Sequence, residues 1–420
     1  MKKIYTAFLF CVGLHLSQAQ IFDTGSIVFM KDVSNNGVAV GMVADTHIMW
    51  TEASGTTSIG VLESGEVVGV TNISSDAKYI SGTMTNPATG VDMMAQYDVA
   101  AQTWNYVGNV PANQPSSAWG MTSDGSTVVG LGENGNYVGH AIKWSQALGL
   151  VDLGSTVPGR SSRANGINDD GSIIVGWQDD DYGDRFGVYW KNGVQTYLKD
   201  RNGDYVGEIF SVTPDGKTMI GNNLDKPYIW TETDGYTEVV NDNPMLDGSS
   251  TGISDDGKTV IGYFREWGTG AFSGRGFIWT KETGPLDLNA YVQSLGLDDL
   301  GITFSLPLGI SPNGKYIVGI GQLADVLRGF VIKLPGALGT DAVNSSVKFS
   351  VYPNPVKDVL HLSNTDKITG IELYNMAGQQ ILSAQKVSKI GLDVSKLAKG
   401  TYLLKIKTAT ETESIKVLKE

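Results

Sequence analysis

The sequence predicts an all-β fold, a seven-bladed β-propeller followed by a small Ig-like β-sandwich. A small polar residue, an Asp-Gly or Asn-Gly pair and a β-rich run that closes on glycine recur along the chain, and most copies precede a strand ending in Trp. The closing glycines are spaced by 41, 48, 46, 45, 41 and 57 residues. A period of roughly 40–50 residues in a strand-rich chain is typical of propeller blades. These glycines are Gly41, Gly82, Gly130, Gly176, Gly221, Gly262 and Gly319.

Each repeat predicts four strands. In the clearest copy they span residues 164–168, 172–177, 186–191 and 194–198. Asp170-Gly171 and Asn192-Gly193 predict two-residue hairpins, because both central positions of such a turn need positive φ. In the second repeat Ala77 replaces the turn glycine, which predicts a distorted turn there.

The closing glycine needs an explanation, because glycine weakens a strand unless another group comes close to it. We expect an aromatic side chain of the neighbouring blade to fill that space. Five third strands end in tryptophan, namely Trp50, Trp144, Trp190, Trp230 and Trp279. Five tryptophans at one repeat position indicate packing between blades rather than contact with a ligand.

The last repeat lacks a fourth strand of its own. The segment FDTGS (22–26) resembles VDLGS (151–155), which is the fourth strand of the third repeat. We therefore expect residues 20–25 to pair with residues 329–334 and close the ring. Apolar residues at helical spacing within 286–300 predict one short helix packed on the ring.

The first 19 residues predict a signal peptide. Lys2 and Lys3 precede an apolar run, and small residues precede a cut after Ala19. The only cysteine, Cys11, lies in this segment, so the remaining chain has no thiol. The predicted organisation is a signal peptide (1–19), a propeller (20–334), a linker (335–346) and a C-terminal domain (347–420), with no membrane-spanning segment after cleavage.

The charge is unevenly distributed. The overall formal charge is −13, or −15 without the two lysines of the first 19 residues. Residues 349–420 carry ten lysines and seven acidic residues, a charge of +3, so residues 20–348 carry −18. An acidic propeller argues against nucleic acid and anionic membrane surfaces as partners.

One third strand of the repeats reads Gly139-His140-Ala141-Ile142-Lys143-Trp144. This segment is the best match to the extracellular His-Ala-Phe repeat family, which the propeller repeats resemble, and the turn-strand segments also resemble TolB-type propeller repeats. This resemblance implies a propeller fold and leaves the biochemical activity open.

The C-terminal segment carries Tyr352, Pro353, Asn354 and Pro355 near its start, and Gly400 and Tyr402 near its end. With these motif residues it resembles the sorting domain of the type IX secretion system of Bacteroidetes. The resemblance implies that the type IX machinery is a partner and that the protein is secreted or displayed on the outer cell surface after passing through the periplasm. In that family the sorting domain is commonly removed or exchanged for an anchor.

Catalytic motifs are poorly represented. His47 and His140 lie in third strands, where packing or a satisfied hydrogen bond is the expected role. We expect no cofactor, with the exception that Asp179, Asp181 and Asp184 are weak candidates for structural calcium in an Asp-rich turn. Carboxylates are plentiful enough that a glycosidase-type pair stays open.

The strand order predicts where a ligand binds. Tight turns join strands one to two and three to four at one face of the ring, and longer loops gather at the other, which we call the long-loop face. Aromatic residues and arginines are enriched at contact sites. The candidate ligand-binding residues of this face are Trp119, Trp177, Tyr182, Arg185, Arg265 and Trp267.

These observations favour a secreted or surface-displayed, non-enzymatic propeller that binds an extracellular protein or glycan. Two alternatives stay open. One is a carbohydrate-active hydrolase or lyase that uses loop carboxylates on the same face, and the other is a structural component of the cell surface.

Overall fold

The computed structural model describes most of the chain. The described residues are 20–65, 67–111, 114–136, 138–335, 351–352, 355–362, 368–375, 380–384, 391–407 and 412–420. The chain divides into two compact units, Met1–Pro335 and Gly336–Glu420. The boundary falls inside the segment expected to be a linker.

Strand β1 spans Gln20–Ser26, and successive four-stranded antiparallel sheets follow it. The first sheet holds β2 (Phe29–Val33), β3 (Ala39–Val43), β4 (Thr46–Thr51) and β5 (Gly55–Val61). The second holds β6 (Asn72–Ile73), β7 (Tyr79–Thr85), β8 (Asp92–Asp98) and β9 (Thr103–Gly108). The third holds β10 (Ser116–Met121), β11 (Thr127–Glu133), β12 (Gly139–Ser145) and β13 (Gly149–Gly154).

The fourth sheet holds β14 (Ser162–Ile167), β15 (Ile173–Asp179), β16 (Arg185–Lys191) and β17 (Val194–Tyr197). The fifth holds β18 (Ile209–Val212), β19 (Thr218–Asn223), β20 (Lys226–Thr231) and β21 (Gly235–Glu238). The sixth holds β22 (Asp247–Ile253), β23 (Val260–Arg265), β24 (Arg275–Thr280) and β25 (Gly284–Asp287). The seventh holds β26 (Thr303–Ile310), β27 (Tyr316–Leu323) and β28 (Val326–Lys333), and β1 is its fourth strand.

The sheets form a closed ring. Each sheet contacts the next one along the chain, and β2 of the first sheet contacts β26 and β27 of the seventh. Strand β1 pairs with β28 from Gln20↔Lys333 to Ser26↔Arg328, which confirms the predicted closure. Asp23 accepts hydrogen bonds from the Arg328 guanidinium across this pair. Consecutive four-stranded sheets in a ring are the architecture of a β-propeller.

The turns between first and second strands share one geometry. In the third sheet the Thr122 hydroxyl bonds the Asp124 carboxylate, and the Gly125 amide donates to the Thr122 carbonyl. Only the glycine has positive φ, so the expectation that both central residues adopt it was wrong for these turns. It holds for Asn192-Gly193, where both do.

The second repeat keeps this turn without glycine. Ala77 has φ of 62° and its amide donates to the Ser74 carbonyl at 2.9 Å, as the glycine amide does elsewhere. The expected distortion is therefore absent. The turn keeps its shape, but Ala77 is strained, because a Cβ is disfavoured in the left-handed region.

The closing glycines are required by a β-bulge. A Cβ on Gly130 would lie 1.9 Å from the Ser117 carbonyl oxygen of the first strand, and one on Gly176 would lie 1.9 Å from that of Arg163. The expected aromatic neighbour from the adjacent blade is found only at Gly82, which faces the His47 ring of the preceding sheet. Elsewhere the first strand of the same sheet approaches the glycine, because its register shifts at that point.

The third-strand tryptophans pack between sheets, as predicted. Trp190, for example, is buried in a cluster with Val129 and Ala141 of the preceding sheet. Residues 286–300 contain the predicted helix, α1 (Leu288–Ser294), and a 3-10 turn at Ala271–Ser273 lies earlier, between β23 and β24. Leu288 and Val292 bury one face of the helix in an apolar cluster shared by the sixth and seventh sheets.

The second unit is also built of β-strands. They are β29 (Val351–Tyr352), β30 (Val359–Leu362), β31 (Gly370–Asn375), β32 (Gln380–Ala384), β33 (Leu392–Asp393), β34 (Gly400–Lys407) and β35 (Thr412–Lys419). One sheet has the order β29-β30-β33 and the other β32-β31-β34-β35. Leu360, Leu373 and Leu404 are fully buried in the core of this unit.

Candidate binding site in the central channel

A cavity of about 440 Å³ runs through the centre of the ring. The first strand of every sheet, β2, β6, β10, β14, β18, β22 and β26, contributes to its wall. The start of β14 pairs with the end of β15, and both lie at the long-loop face. The end of β14 leads into the tight turn, and the first strands of the other sheets run in the same direction. The cavity volume lies within the range of small-molecule sites in proteins.

The β-bulges decide which side chains line this cavity. In six sheets the residue left unpaired at the bulge belongs to the cavity wall. These residues are Lys31, Trp119, Asn165, Phe210, Thr251 and Leu308. The bulge position of the repeat therefore supplies the side chains that form one layer of the channel wall.

Arg163 is held between three sheets. Its guanidinium carbon lies 3.5 Å from the centroid of the Trp119 ring. Its Nη2 lies 2.6 Å from Glu208 Oε1, and its Nε donates to Asn165 Oδ1 at 2.7 Å. Asn165 in turn donates to Glu208 Oε1 at 2.9 Å. Burial lowers the pKa of Arg163 to about 10 while Glu208 opposes the shift, so the guanidinium stays charged and fixed.

Arg185 extends this cluster away from the channel. Its guanidinium carbon lies 3.6 Å from the centroid of the Trp177 ring, and its Nη1 is 3.7 Å from Glu208 Oε2. Trp177 is only 4% exposed, and its indole Nε1 finds no hydrogen-bond partner among the residues that the structure describes. The structure therefore brings together the predicted residues Trp119, Trp177 and Arg185, with Trp177 as a buried support.

Lys31 and Asp32 occupy the opposite wall of the channel. Asp32 directs its carboxylate to the backbone, accepting from the amides of Val33 at 2.8 Å and Ile73 at 2.9 Å. Burial raises the pKa of Asp32 to about 6. Burial likewise lowers the pKa of Lys31; the negative charge of Asp32 opposes this shift, and the positive charge of Arg163 adds to it. Within the described ranges, Lys31 Nζ has no hydrogen-bond or ion-pair partner.

The tight-turn end of the channel is acidic. Asp169 and Asp255 line the cavity there, and Asp169 accepts a hydrogen bond from the Ser123 hydroxyl. Burial, and then the nearby charges of Asp169 and Asp256, raise the pKa of Asp255 to about 6. The channel thus has Lys31 and Asp32 side by side at its middle level, Arg163 nearer the long-loop face, and the carboxylates of Asp169 and Asp255 at its other end.

The 3-10 turn crosses the long-loop end. It contacts β26 and β27 of the seventh sheet, and Phe272 packs edge-on against Phe29 of the first sheet at 5.8 Å. Ala271 forms part of the cavity wall. The β23–β24 connection therefore lies beside the long-loop entrance.

The other predicted binding residues lie outside this cluster. Tyr182 and Trp267 are 90% and 83% exposed on loops of the long-loop face. Arg265 donates to the Thr269 carbonyl at 2.8 Å and lies 3.8 Å from Asp225, so it supports the loop that carries Trp267.

The calcium candidates are spread along one turn. Asp180 organises it by accepting from the amides of Tyr182 and Asp184, and Asp179 lies 3.8 Å from the Arg185 guanidinium. In the described ranges no three His, Cys, Asp or Glu side chains are grouped as metal ligands. Calcium at Asp179, Asp181 and Asp184 stays a prediction.

The histidines of the propeller have structural partners. His47 is buried, with Nδ1 2.8 Å from Thr71 Oγ1 and Nε2 2.8 Å from the Thr83 carbonyl. His140 Nδ1 lies 3.0 Å from Asp152 Oδ2.

Sequence reasoning missed Lys31, Arg163, Asn165 and Glu208. The repeat itself holds the signal: Trp119 precedes closing Gly130 by 11 positions, and Asn165 precedes Gly176 by the same distance. Aligning the repeats on their closing glycines identifies the bulge residues of the last five sheets, whereas Lys31 precedes Gly41 by 10 positions because its repeat is one residue shorter. The partners of Arg163 depend on contacts between sheets.

The sorting-motif residues lie only partly within the described residues. The Tyr352 side chain, Pro353 and Asn354 are outside them, and Pro355 is exposed. Gly400 begins β34, and the buried Tyr402 donates its hydroxyl to the Ala398 carbonyl at 2.9 Å.

Residues 350–420 match the family model of the secretion system C-terminal sorting domain. The match confirms the type IX sorting domain expected from the motif residues. It supports secretion or display at the cell surface, and interaction with the secretion machinery. In the described part of the chain, no helix is both long and apolar enough to cross a membrane.

Solved propellers resemble the chain at low identity. TolB from Acinetobacter baumannii shares 13% identity, with 63% of this chain and 65% of that chain covered and a TM-score of 0.40. The β-propeller domain of the Trilobed protease from Pyrococcus furiosus shares 14%, with 73% and 95% covered and a TM-score of 0.47. An oligogalacturonate lyase in complex with manganese shares 13%, with 76% and 94% covered and a TM-score of 0.48. No curated protein sequence matches the chain.

Proposed function

We propose that the chain is an exported seven-bladed β-propeller that binds an extracellular glycan or protein at its central channel and long-loop face. A signal peptide at 1–19 directs it to the periplasm, and the Ig-like sandwich at 347–420 routes it through the outer membrane. On this proposal the propeller is a member of the extracellular His-Ala-Phe repeat family from a bacterium of the Bacteroidetes, and it acts by binding rather than catalysis.

One observation carries the proposal. Trp119 lies in the wall of a 440 Å³ cavity with its ring stacked against Arg163, which Glu208 and Asn165 hold in place. A fixed aromatic ring beside a fixed cation, inside a rigid ring of sheets, is preorganised for recognition. Exposed aromatics on the surrounding loops, Trp267 among them, can extend the contact to a larger partner.

The test is a binding screen of the full chain against a glycan array and fractionated extracellular polysaccharide. We expect Trp119→Ala to weaken the interaction at least tenfold, and Trp267→Ala to weaken it when the partner extends beyond the channel. Leu148→Ala is the matched control, because Leu148 is 73% exposed in a turn at the opposite face. Unchanged binding by the Trp119 and Trp267 variants, with folding intact, would refute the proposed location.

A carbohydrate-active hydrolase or lyase is the second candidate. It is favoured by two carboxyl groups in the channel wall, Asp32 and Asp255, whose pKa values burial raises to about 6. Against it, Asp32 spends both oxygens on backbone amides. Turnover on a polysaccharide panel that Asp255→Asn abolishes would establish this candidate and displace the binding role.

A further inference from the structure

We propose that the central channel selects a carboxylate-bearing saccharide, whose carboxylate binds between Lys31 and Arg163. This inference rests on the proposed binding function and gives its ligand a charge and a position.

The first step is the state of Lys31. Its side chain enters the channel from the β-bulge of the first sheet, at the level of Trp119 and Asn165. Lys31 is half-buried, and its only nearby acidic group, among the described residues that affect its charge, is Asp32. The neighbouring Asp32 directs its carboxylate to two backbone amides, and the described residues offer Lys31 Nζ no acceptor.

The second step is the presence of another cation in the same cavity. Arg163 uses Nε and Nη2 for Asn165 and Glu208, and its Nη1 has no hydrogen-bond partner in the described part of the chain. Asp32 favours the charged form of Lys31, but repulsion between Lys31 and Arg163 opposes it. An anion between them would turn this repulsion into two attractions, so the cavity is complementary to a ligand with negative charge.

The third step concerns the rest of the wall. Asn165 already donates to Glu208 and the Ile209 carbonyl, and the Thr251 hydroxyl donates to the Pro307 carbonyl at 2.6 Å. Phe210 and Leu308 are apolar. Recognition at this level is therefore left to the cations and to apolar and aromatic surfaces. A sugar ring with a carboxylate offers its flat face to the apolar and aromatic surfaces and its negative charge to the cations.

The acidic end of the channel gives the ligand a direction. Asp169 and Asp255 lie among the tight turns, where they repel an anion. We infer that the carboxylate enters from the long-loop face and stops at the level of Lys31.

The test uses matched sugars that differ in the carboxylate. Isothermal titration of the full chain with D-glucuronate and D-galacturonate, and with D-glucose and D-galactose, should show at least tenfold tighter binding of one uronate over its neutral counterpart. Lys31→Met keeps the apolar stem and removes the charge, and it should abolish this preference. Lys258→Met is the control, since Lys258 is exposed beside Asp256 at a tight turn.

Folding is measured on the same samples. Because Lys31 is half-buried and makes no ion pair within the described residues, Lys31→Met should leave the unfolding midpoint close to that of the wild type. Absence of uronate binding, equal binding of both members of each sugar pair, or a preference that survives Lys31→Met would overturn the inference. If neutral glycans bind and Trp119→Ala prevents it, the proposed function stands while this inference fails.

Discussion

Replacing closing Gly130 with alanine tests the link between the repeat and the channel. A Cβ at this position would lie 1.9 Å from the Ser117 carbonyl oxygen and 2.9 Å from the Met94 side chain. Methionine can move, but the carbonyl belongs to β10, whose bulge places Trp119 in the cavity. The two strands must separate, which disturbs both the sheet and the channel wall.

The expected cost follows from the size of that overlap. Overpacking a well-packed interior costs about 1–3 kcal/mol, and a backbone atom that cannot swing away puts Gly130→Ala at about 3 kcal/mol. At about 2.1 cal/mol/K of unfolding entropy per residue, a propeller spanning residues 20–334 has roughly 0.7 kcal/mol/K, so the unfolding midpoint falls by about 4–5 °C.

The assay is thermal unfolding of the full chain followed by near-ultraviolet circular dichroism, with ligand binding measured alongside. Gly270→Ala is the matched control, because a Cβ there meets nothing within 4 Å and φ is −70°. That control should stay within about 0.5 kcal/mol of the wild type. If Gly130→Ala also stays within this limit, the bulge does not require the closing glycine, and our explanation of the repeat is wrong.

Three further predictions concern stability. Ala77→Gly should raise the free energy of unfolding by about 1 kcal/mol, measured by urea denaturation, because it removes the Cβ from a left-handed residue; a loss of stability would contradict the turn geometry. Glu208→Ala should lower it by about 3 kcal/mol, since it leaves the buried guanidinium of Arg163 without its carboxylate; a neutral result would show that this ion pair is not formed. The raised pKa of Asp255, about 6 against an ordinary 3.8, means that the folded state binds this proton more tightly than the unfolded chain. Its contribution to stability therefore falls as pH rises from about 4 to 6. Asp255→Asn should unfold at the same temperature as the wild type near pH 4 and at a higher one at pH 7, and the opposite trend would contradict the assigned burial.

Much of the propeller could be predicted from the sequence because its repeat is regular. Turn chemistry and closing glycines marked each unit, and the likeness of residues 22–26 to a fourth strand correctly placed β1 beside β28. Sequence spacing identified the turns and the closing glycines because each depends on residues that lie close together in the sequence. The role of the closing glycine was not local: the group that approaches Gly130 is the Ser117 carbonyl, and a register shift in a neighbouring strand does not appear in composition or periodicity.

The site was predicted only in part for the same reason. Unassigned aromatics drew attention to Trp119 and Trp177, but Trp177 is buried beneath Arg185. Lys31 was missed because a single lysine in a strand carries no motif, and its meaning comes from the closed ring that encloses it. Side chains from separate sheets meet there only after closure.

Closure of the ring is therefore the central claim, and a disulfide across it is the most direct measurement. In the full chain carrying Cys11→Ser, the pair Gln20→Cys and Lys333→Cys occupies directly opposed positions of β1 and β28. We expect mild oxidation to join them fully, as shown by peptide mass mapping. In the chain-entropy account, closing a loop of this length adds about 6 kcal/mol to the free energy of unfolding. The control pair, Gln20→Cys with Lys281→Cys in the sixth sheet, should stay reduced. Free thiols in the first pair under the same conditions would show that the ends of the ring do not meet.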